Sequence, residues 1–296
     1  MFEVGPIAPS TTLSALLDQG LVRAPGVADA LTARIAALAG HRALYVSGGA
    51  VARSLGFPDI GLVTAVEMAQ RVSEIHSVTP LPLIVDADTG HGGPLAVART
   101  VNLFERAGAS ALHIEDQADP KRCAEYGGVR LLPGGEMAAK VRAAAAARRS
   151  SDFLIAARTD ALGVTGLSDA VERAASYLSA GADLVFVESV RGEDDIAAAA
   201  AACGPTLLVN AADLGRAGIA PARAAELGCR VVIYPSELQR AAIRAMRIVA
   251  EALLDARGLG PHRALLASDE EREGAVGRAA AEAFEAWAEG ASPSAS

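Results

Sequence analysis

Short apolar runs punctuate this chain. Between them lie longer stretches whose apolar residues recur at three- and four-residue intervals. The runs are Leu21–Ala24, Ala43–Val46, Leu83–Asp86, Ala111–Ile114, Phe153–Ala157, Leu184–Val187, Thr206–Val209 and Val231–Tyr234. At four or five residues each they have the length of strands, not of helices. The intervening stretches, among them Pro94–Ala107, Gly134–Ala147, Ser168–Ala180 and Pro221–Leu227, have the spacing of helices with one apolar face. Strand, helix, strand, repeated, requires right-handed crossovers and a parallel sheet. Eight such units predict a closed (β/α)8 barrel, the TIM-barrel architecture of the α/β class. An open doubly wound sheet is the alternative, but no glycine-rich fingerprint follows the first strand.

The punctuation agrees. Gly108, Gly181 and Gly228 stand where a helix must end in a left-handed residue before the next strand begins. Beyond Tyr234 a helical pattern runs to Arg257. A last segment, Asp269–Ala288, carries Val276, Ala280, Ala283 and Trp287 at helical spacing. It predicts a C-terminal helix packed outside the barrel or on a neighbouring subunit. Residues 289–296 predict a disordered tail. No linker marks a second domain, so residues 1–296 are expected to fold as one.

Composition narrows the function. Aromatic residues are only 4% of 296, and alanine, valine and leucine do most of the filling, which favours helix-rich α/β packing over a β-sandwich. A net charge of −8 disfavours nucleic acid as a partner. The longest apolar runs, such as Ile196 to Cys203, are too short to span a bilayer. Residues 1–12 lack the pattern of a signal peptide. Cys123, Cys203 and Cys229 make no disulfide framework. A cytoplasmic enzyme is expected.

In a barrel the active site forms where strands end and loops begin. Strand two runs into Ser47-Gly48-Gly49, strand three into Asp86-Ala87-Asp88 and strand four into Glu115-Asp116. Strand five runs into Arg158-Thr159-Asp160, strand six into Glu188 and strand seven into Asn210. Residues i and i+2 of a strand point the same way. Asp86 and Asp88, with Glu115 from the next strand, would repel one another strongly without a counter-charge. A hard divalent cation resolves that repulsion, and Mg²⁺ takes oxygen ligands of this kind. His113 lies inside a strand and is read as a core or interstrand residue. The loop 116–133 is longer than an ordinary strand-to-helix connection and holds Gly127-Gly128, which predicts an active-site lid. Within it, Cys123 follows Lys121 and Arg122. Neighbouring cations stabilise a thiolate, so Cys123 is a candidate proton shuttle. Cys203 and Cys229 are read as small core residues.

Taken together, Ser47-Gly48-Gly49, Gly56-Phe57-Pro58-Asp59, Asp86-Ala87-Asp88-Thr89-Gly90, His113-Ile114-Glu115-Asp116-Gln117, Lys121-Arg122-Cys123 and Ala157-Arg158-Thr159-Asp160-Ala161 make the chain resemble the isocitrate lyase/phosphoenolpyruvate mutase superfamily. It is most similar to the branch of 2-methylisocitrate lyases and carboxyphosphonoenolpyruvate phosphonomutases. The resemblance covers about Pro25 to Pro235. It implies an α/β barrel, often a homotetramer with a terminal helix exchanged between subunits. It implies Mg²⁺, with Mn²⁺ able to substitute, near Asp86, Asp88 and Glu115. It implies a small 2-hydroxy or 2-oxo acid substrate. Asp59 would reach the substrate or the metal's waters. Ser47, Gly48 and Gly49, helped by Arg158, would bind a substrate carboxylate. Tyr45, Glu188 and Asn210 would complete the substrate pocket. Lys121, Arg122, Cys123 and Glu125 would bring the lid's catalytic groups over the substrate.

One position departs from the branch. Its lyases read Lys-Lys/Arg-Cys-Gly-His in the lid, whereas this chain reads Lys121-Arg122-Cys123-Ala124-Glu125. An acid stands where a histidine is usual. The expected activity is a Mg²⁺-dependent carbon–carbon lyase acting on a 2-hydroxy acid, its substrate altered by Glu125. The alternatives are a phosphonomutase and a 2-oxo acid decarboxylase or hydrolase. A catalytically dead barrel acting as a scaffold is disfavoured, because the candidate metal carboxylates and Arg158 are all present.

Overall fold

The computed structural model describes residues 11–255 and 258–290, apart from the side chain of Glu125. Eight parallel strands close into one barrel in chain order. They are β1 (Val22–Val27), β2 (Leu44–Val46), β3 (Leu83–Asp86), β4 (Ala111–Glu115), β5 (Leu154–Thr159), β6 (Leu184–Val187), β7 (Leu207–Asn210) and β8 (Cys229–Tyr234). β8 returns to β1, pairing Val231 with Val22. Each expected strand is present. Helices Pro94–Ala107 and Gly134–Ala147 have the predicted bounds, Leu167–Ser179 is shifted by one residue at both ends, and Pro221–Glu226 ends one residue early.

β4, β5 and β7 run further than their apolar residues, taking in Glu115, Arg158, Thr159 and Asn210. The ladder continues because its bonds are backbone bonds. Glu115 pairs with Arg158, and Asn210 with Ile233. A polar side chain need not end a strand whose inner face opens onto a pocket.

The alternation of side chains along each strand builds two cores. Leu83, Val85, Leu112, Ile114, Ile155 and Ala157 pack outward against the helices. Tyr45, Ile84, Ala111, Ala156, Phe186, Leu208, Val231 and Ile233 fill the barrel's interior. Helix Leu13–Asp18, capped by Thr12, adds Leu13 and Leu16 to the interior cluster. The same period of two, carried one step beyond the apolar filling, turns Asp86, Glu115, Arg158, Glu188 and Asn210 toward the barrel axis at one end. The surrounding helices fix the strands in turn. On Pro94–Ala107, Val97, Val101 and Phe104 are fully buried, and truncating Phe104 to alanine would cost about 3–5 kcal/mol.

The C-terminal region differs from expectation in two respects. The helix after β8 is Glu237–Ala252 and stops short of Arg257, which lies outside the described residues. The segment expected as one helix is two, Asp269–Val276 and Arg278–Ala288, because Gly277 sits at φ 75 in the left-handed region and breaks the run. Arg34 Nε donates to Ala275 C=O at 2.8 Å and ties the first of them to helix Ala30–Leu38. Of the expected tail, residues 291–296 lie outside the described residues.

Candidate active site

Register brings the polar ends of the strands together. Asp86 lies opposite His113 across β3 and β4, and Glu115 opposite Arg158 across β4 and β5. Asp86 accepts from Tyr45 Oη at 3.2 Å, from the Gly48 N–H at 3.1 Å and, through Oδ1, from the Asp88 N–H at 3.0 Å. Burial opposes its ionisation, but the His113 ring, Lys121 and Arg158 overcome this and hold it below the usual carboxylate range. His113 is fully buried, and its Nε2 lies 2.8 Å from Tyr45 Oη and 3.6 Å from Asp86 Oδ1. Burial pushes its pKa down to about 4 against the pull of Asp86, so the ring is neutral at pH 7.

Asp88 turns the chain at φ 48, a left-handed conformation that costs a non-glycine residue about 1–2 kcal/mol. The turn is fixed from several sides. Asp88 C=O accepts from the Glu115 N–H at 2.9 Å, and Lys140 Nζ donates to Thr89 C=O at 3.0 Å. Lys121 Nζ reaches down from the loop 116–133 to Asp88 Oδ1 at 2.6 Å and to Asp59 Oδ1 at 2.5 Å. Burial, then the charge of Asp86, pushes Asp88 up to about 7 in spite of Lys121.

Arg158 is the other buried cation. Its guanidinium donates to both oxygens of Asp160 at 2.8 and 3.1 Å. It lies 3.3 Å from Glu115 and 3.7 Å from Glu188, and stacks on Phe186 with 4.9 Å to the ring centroid. Burial raises Glu115 well above its usual range, and raises Glu188 to about 7, against the opposing charge of Arg158.

One pocket collects most of the residues singled out in the sequence. Tyr45, Ser47, Gly49, Asp59, Asp86, Glu115, Arg158, Glu188 and Asn210 line it from the barrel, and Lys121, Arg122 and Cys123 from the loop above. Three of the residues singled out in the sequence have partners within the protein. The Gly48 N–H, expected on a substrate carboxylate, is bonded to Asp86, and a Cβ there would stand 2.8 Å from that carboxylate. Ser47 caps helix Gly48–Ser54, its Oγ accepting from the Ala50 N–H at 3.2 Å. Lys121, expected to act as a cationic neighbour of Cys123, has its charge committed to Asp59 and Asp88. The Glu125 side chain lies outside the described residues. Arg53 and Phe186 also line the pocket and were not foreseen. Arg53 had a readable signal: it stands four residues, one helical turn, beyond Gly49 on a helix that starts at the rim.

The residues fit a divalent cation. Asp86, His113 and Glu115 each offer a ligand atom, and these atoms lie within 4.8 Å of one another. Glu115 Oε1 and His113 Nδ1 are buried without a hydrogen-bond partner. Buried carboxylates, one with an unpartnered oxygen, are the donor set of a hard cation such as Mg²⁺. Asp88, also expected at the metal, has Lys121 Nζ 2.6 Å from its Oδ1.

A closed parallel barrel with a metal-ready carboxylate cluster at the C-terminal ends of its strands defines a class of enzyme barrels. The particular family follows from comparison. Residues 13–254 match the family described as phosphoenolpyruvate phosphomutase. The chain is 42% identical to a probable 2-methylisocitrate lyase 2 of Corynebacterium glutamicum, over 83% of this chain and 80% of that one. The crystal structure of 2,3-dimethylmalate lyase, a member of the PEP mutase/isocitrate lyase superfamily, superposes with a TM-score of 0.84 at 33% identity, covering 95% of this chain and 100% of the other. Phosphonopyruvate hydrolase in complex with oxalate and Mg²⁺ superposes with a TM-score of 0.83 at 32% identity, covering 93% and 96%. The chain belongs to the phosphoenolpyruvate phosphomutase family, within the PEP mutase/isocitrate lyase superfamily.

Proposed function

We propose that this chain is a Mg²⁺-dependent carbon–carbon lyase that splits a small 2-hydroxy acid into a 2-oxo acid and a second carboxylic acid. The observation that carries this reading is one pocket holding the Asp86–Glu115 cluster, the buried cation Arg158 and, facing them from the loop above, Cys123. Relatives named for lyase activity support it. Asp86 and Glu115 would hold the metal, with Asp88 beside them and Lys121 offsetting the surplus negative charge. Mg²⁺ bound there supplies Lewis-acid stabilisation of charge on the substrate's oxygens.

The chain's own groups do the rest. Arg158 and Arg53 draw a substrate carboxylate into the pocket, and Tyr45, Ser47, Gly49, Asp59 and Asn210 shape the space around it. Glu188, with its pKa raised toward neutrality, takes the proton of the 2-hydroxyl. The bond between the hydroxyl-bearing carbon and its neighbour breaks as the carbonyl forms. Its electron pair remains on the neighbour, a carbanion stabilised by its own carboxylate. Cys123 Sγ delivers the proton that quenches it. The loop 116–133 acts as a lid that keeps water from the carbanion.

Glu125 selects a substrate with fewer carboxylates than 2-methylisocitrate, since an anion there repels a third carboxylate. The relative named for 2,3-dimethylmalate, a dicarboxylate, is in keeping with that. Phosphorus transfer is the second reading, favoured by the family's description and by the relative named phosphonopyruvate hydrolase. The thiol in the lid favours the lyase. Mn²⁺ would substitute for Mg²⁺. Trp287 and Met246, 71% and 61% exposed on the C-terminal helices, support a homo-oligomer, which we take as a tetramer with exchange of the last helix. No described helix is long and apolar enough to cross a membrane, and a cytoplasmic place is proposed. The test is a screen of 2-hydroxy diacids, 2-hydroxy triacids and phosphonopyruvate with Mg²⁺. Release of a 2-oxo acid from a 2-hydroxy acid is expected. Conversion of phosphonopyruvate alone overturns the lyase reading.

A further inference from the structure

Gln117 has no part in the chemistry above, yet it is 1% exposed and stands at the root of the lid. Its backbone pairs with Leu131 as an isolated antiparallel bridge, so the two stems of the loop meet there. Bonds on either side reinforce the junction: the Ala118 N–H donates to Arg130 C=O at 2.7 Å, and the Leu132 N–H to Asp116 C=O at 2.8 Å. The side chain turns into the loop. Oε1 accepts from the Arg122 N–H at 2.9 Å, and Nε2 donates to Arg122 C=O at 3.0 Å.

A primary amide is one of the few side chains that both donates and accepts from one end. Here it satisfies both backbone groups of a single residue, as a hydrogen-bonded neighbour in an antiparallel strand would. The C=O of Arg122 belongs to the peptide that joins Arg122 to Cys123. Fixing that oxygen fixes the plane of the peptide, and with it the direction in which the Cys123 side chain leaves the backbone. Cys123 lines the pocket from this loop.

We infer that Gln117 is the positioning residue of the lid: its amide clamps the Arg122 backbone and thereby holds Cys123 over the reacting carbon. The inference rests on the proposed role of Cys123 as proton donor. It assigns Gln117 a task distinct from substrate binding. Loss of the clamp lowers kcat and leaves KM nearly unchanged, because the misplaced group acts on the carbanion and not on the bound substrate. A displacement of about 1 Å can cost about a hundredfold in rate.

The test uses the full chain with Gln117→Met, which keeps the length and removes both bonds, and Gln117→Glu, which keeps the acceptor for the Arg122 N–H and loses the donor. Thermal melting checks that each folds, and either variant alone suffices. The first readout needs no substrate: the rate of Cys123 alkylation by iodoacetamide, followed on its peptide by mass spectrometry. It is expected to rise about fivefold or more in Gln117→Met, as a segment with fewer tethers opens more often, and less in Gln117→Glu. The second readout is kcat and KM on the 2-hydroxy acid found by the screen, with kcat lower by about ten- to a hundredfold and KM within about twofold. Unchanged alkylation overturns the clamp whatever turnover does. Faster alkylation with wild-type kcat, or with a loss confined to KM, overturns the positioning role. If the wild-type protein turns over no 2-hydroxy acid, the lyase reading fails, while the alkylation rates still decide the clamp.

Discussion

The floor of the pocket and the lid above it are built by opposite means. On the floor, Asp86, Glu115 and Arg158 leave adjacent strands whose backbones are paired on both sides; Asp86 and Arg158 are each caught by several partners, and Glu115 is held by Arg158. The lid crosses 116–133 with a single short 3₁₀ turn, Ala124–Tyr126, and Tyr126 is 53% exposed. It is tied down at a few points: Gln117 to Arg122, Lys121 to Asp59 and Asp88, and Asp119 to Thr89 at 2.9 Å. A rigid floor can hold buried like charges close together, which a metal needs. In the proposed mechanism a sparsely tethered loop opens to admit substrate and still delivers a group to a defined place. On the proposed reading the floor sets charge chemistry, and the loop 116–133, acting as a lid, sets proton delivery and substrate choice.

The largest effect expected of this division comes from the metal. Removing divalent cations with EDTA should abolish turnover, and Mg²⁺ should restore it. Asp86→Asn should lower kcat by more than about 10³-fold, since about 4 kcal/mol of charge stabilisation corresponds to that factor. It should also weaken Mg²⁺ binding measured by calorimetry. Turnover indifferent to EDTA would break the comparison at its base.

Cys123→Ser should lower kcat by about 10²–10⁴, the usual worth of a general acid, with Mg²⁺ affinity as in wild type. A lid change that altered metal affinity as much as Asp86→Asn does would show that floor and lid are not separate.

The third effect is thermodynamic. Asp88 and Glu188 are pushed up to about 7, and Glu115 above its usual range, by burial. A carboxyl whose folded pKa exceeds its unfolded one stabilises the fold at low pH, and loses that contribution as pH climbs from about 4 through 7. His113 works the other way: its contribution is present above its usual 6.5 and lost as pH falls toward about 4. A cation on the floor competes with the carboxyl protons. Mg²⁺ should therefore raise the melting temperature more at about pH 8 than at about pH 5.5. At a hundredfold excess over Kd the stabilisation is about 2.7 kcal/mol. Equal shifts at the two pH values would remove the floor carboxylates from the metal site.

The smallest effect is on specificity. Glu125→His should raise kcat/KM on 2-methylisocitrate by about tenfold relative to wild type. Two like charges about 4 Å apart cost about 1 kcal/mol in water and about 4 kcal/mol at an effective dielectric of 20, and about 1.4 kcal/mol is tenfold. Wild-type cleavage of that tricarboxylate above about 10⁴ M⁻¹s⁻¹ would make Glu125 silent.

The barrel was legible in the sequence because its determinants are local. Apolar runs of strand length, helical stripes such as Pro94–Ala107, and glycines at helix ends each report on the few residues around them. The floor was legible for the same reason: in a barrel, position along a strand decides which end a residue reaches, so Asp86, Glu115, Arg158 and Glu188 could be placed on one rim. The C-terminal segment was harder. Val276 and Trp287 keep helical spacing across Gly277, and a hydrophobic stripe does not register a single left-handed residue.

What the sequence by itself determined was therefore which groups stand on the rim: a period of two fixes the face, and a strand's end fixes the height. Tertiary structure alone decided which of those groups meet. Asp88 faces Lys121, the Gly48 N–H belongs to Asp86, and Gln117 holds Arg122. Asp116, read as a polar residue at the end of strand four, is fully buried and accepts from Thr159 and Tyr177 at 2.8 Å each and from Arg173 at 3.2 Å. Those partners lie 43 to 61 residues away. Charge and hydrogen bonding act over a few ångströms of space whatever the separation along the chain, so pairings of this kind exist only once the barrel has closed.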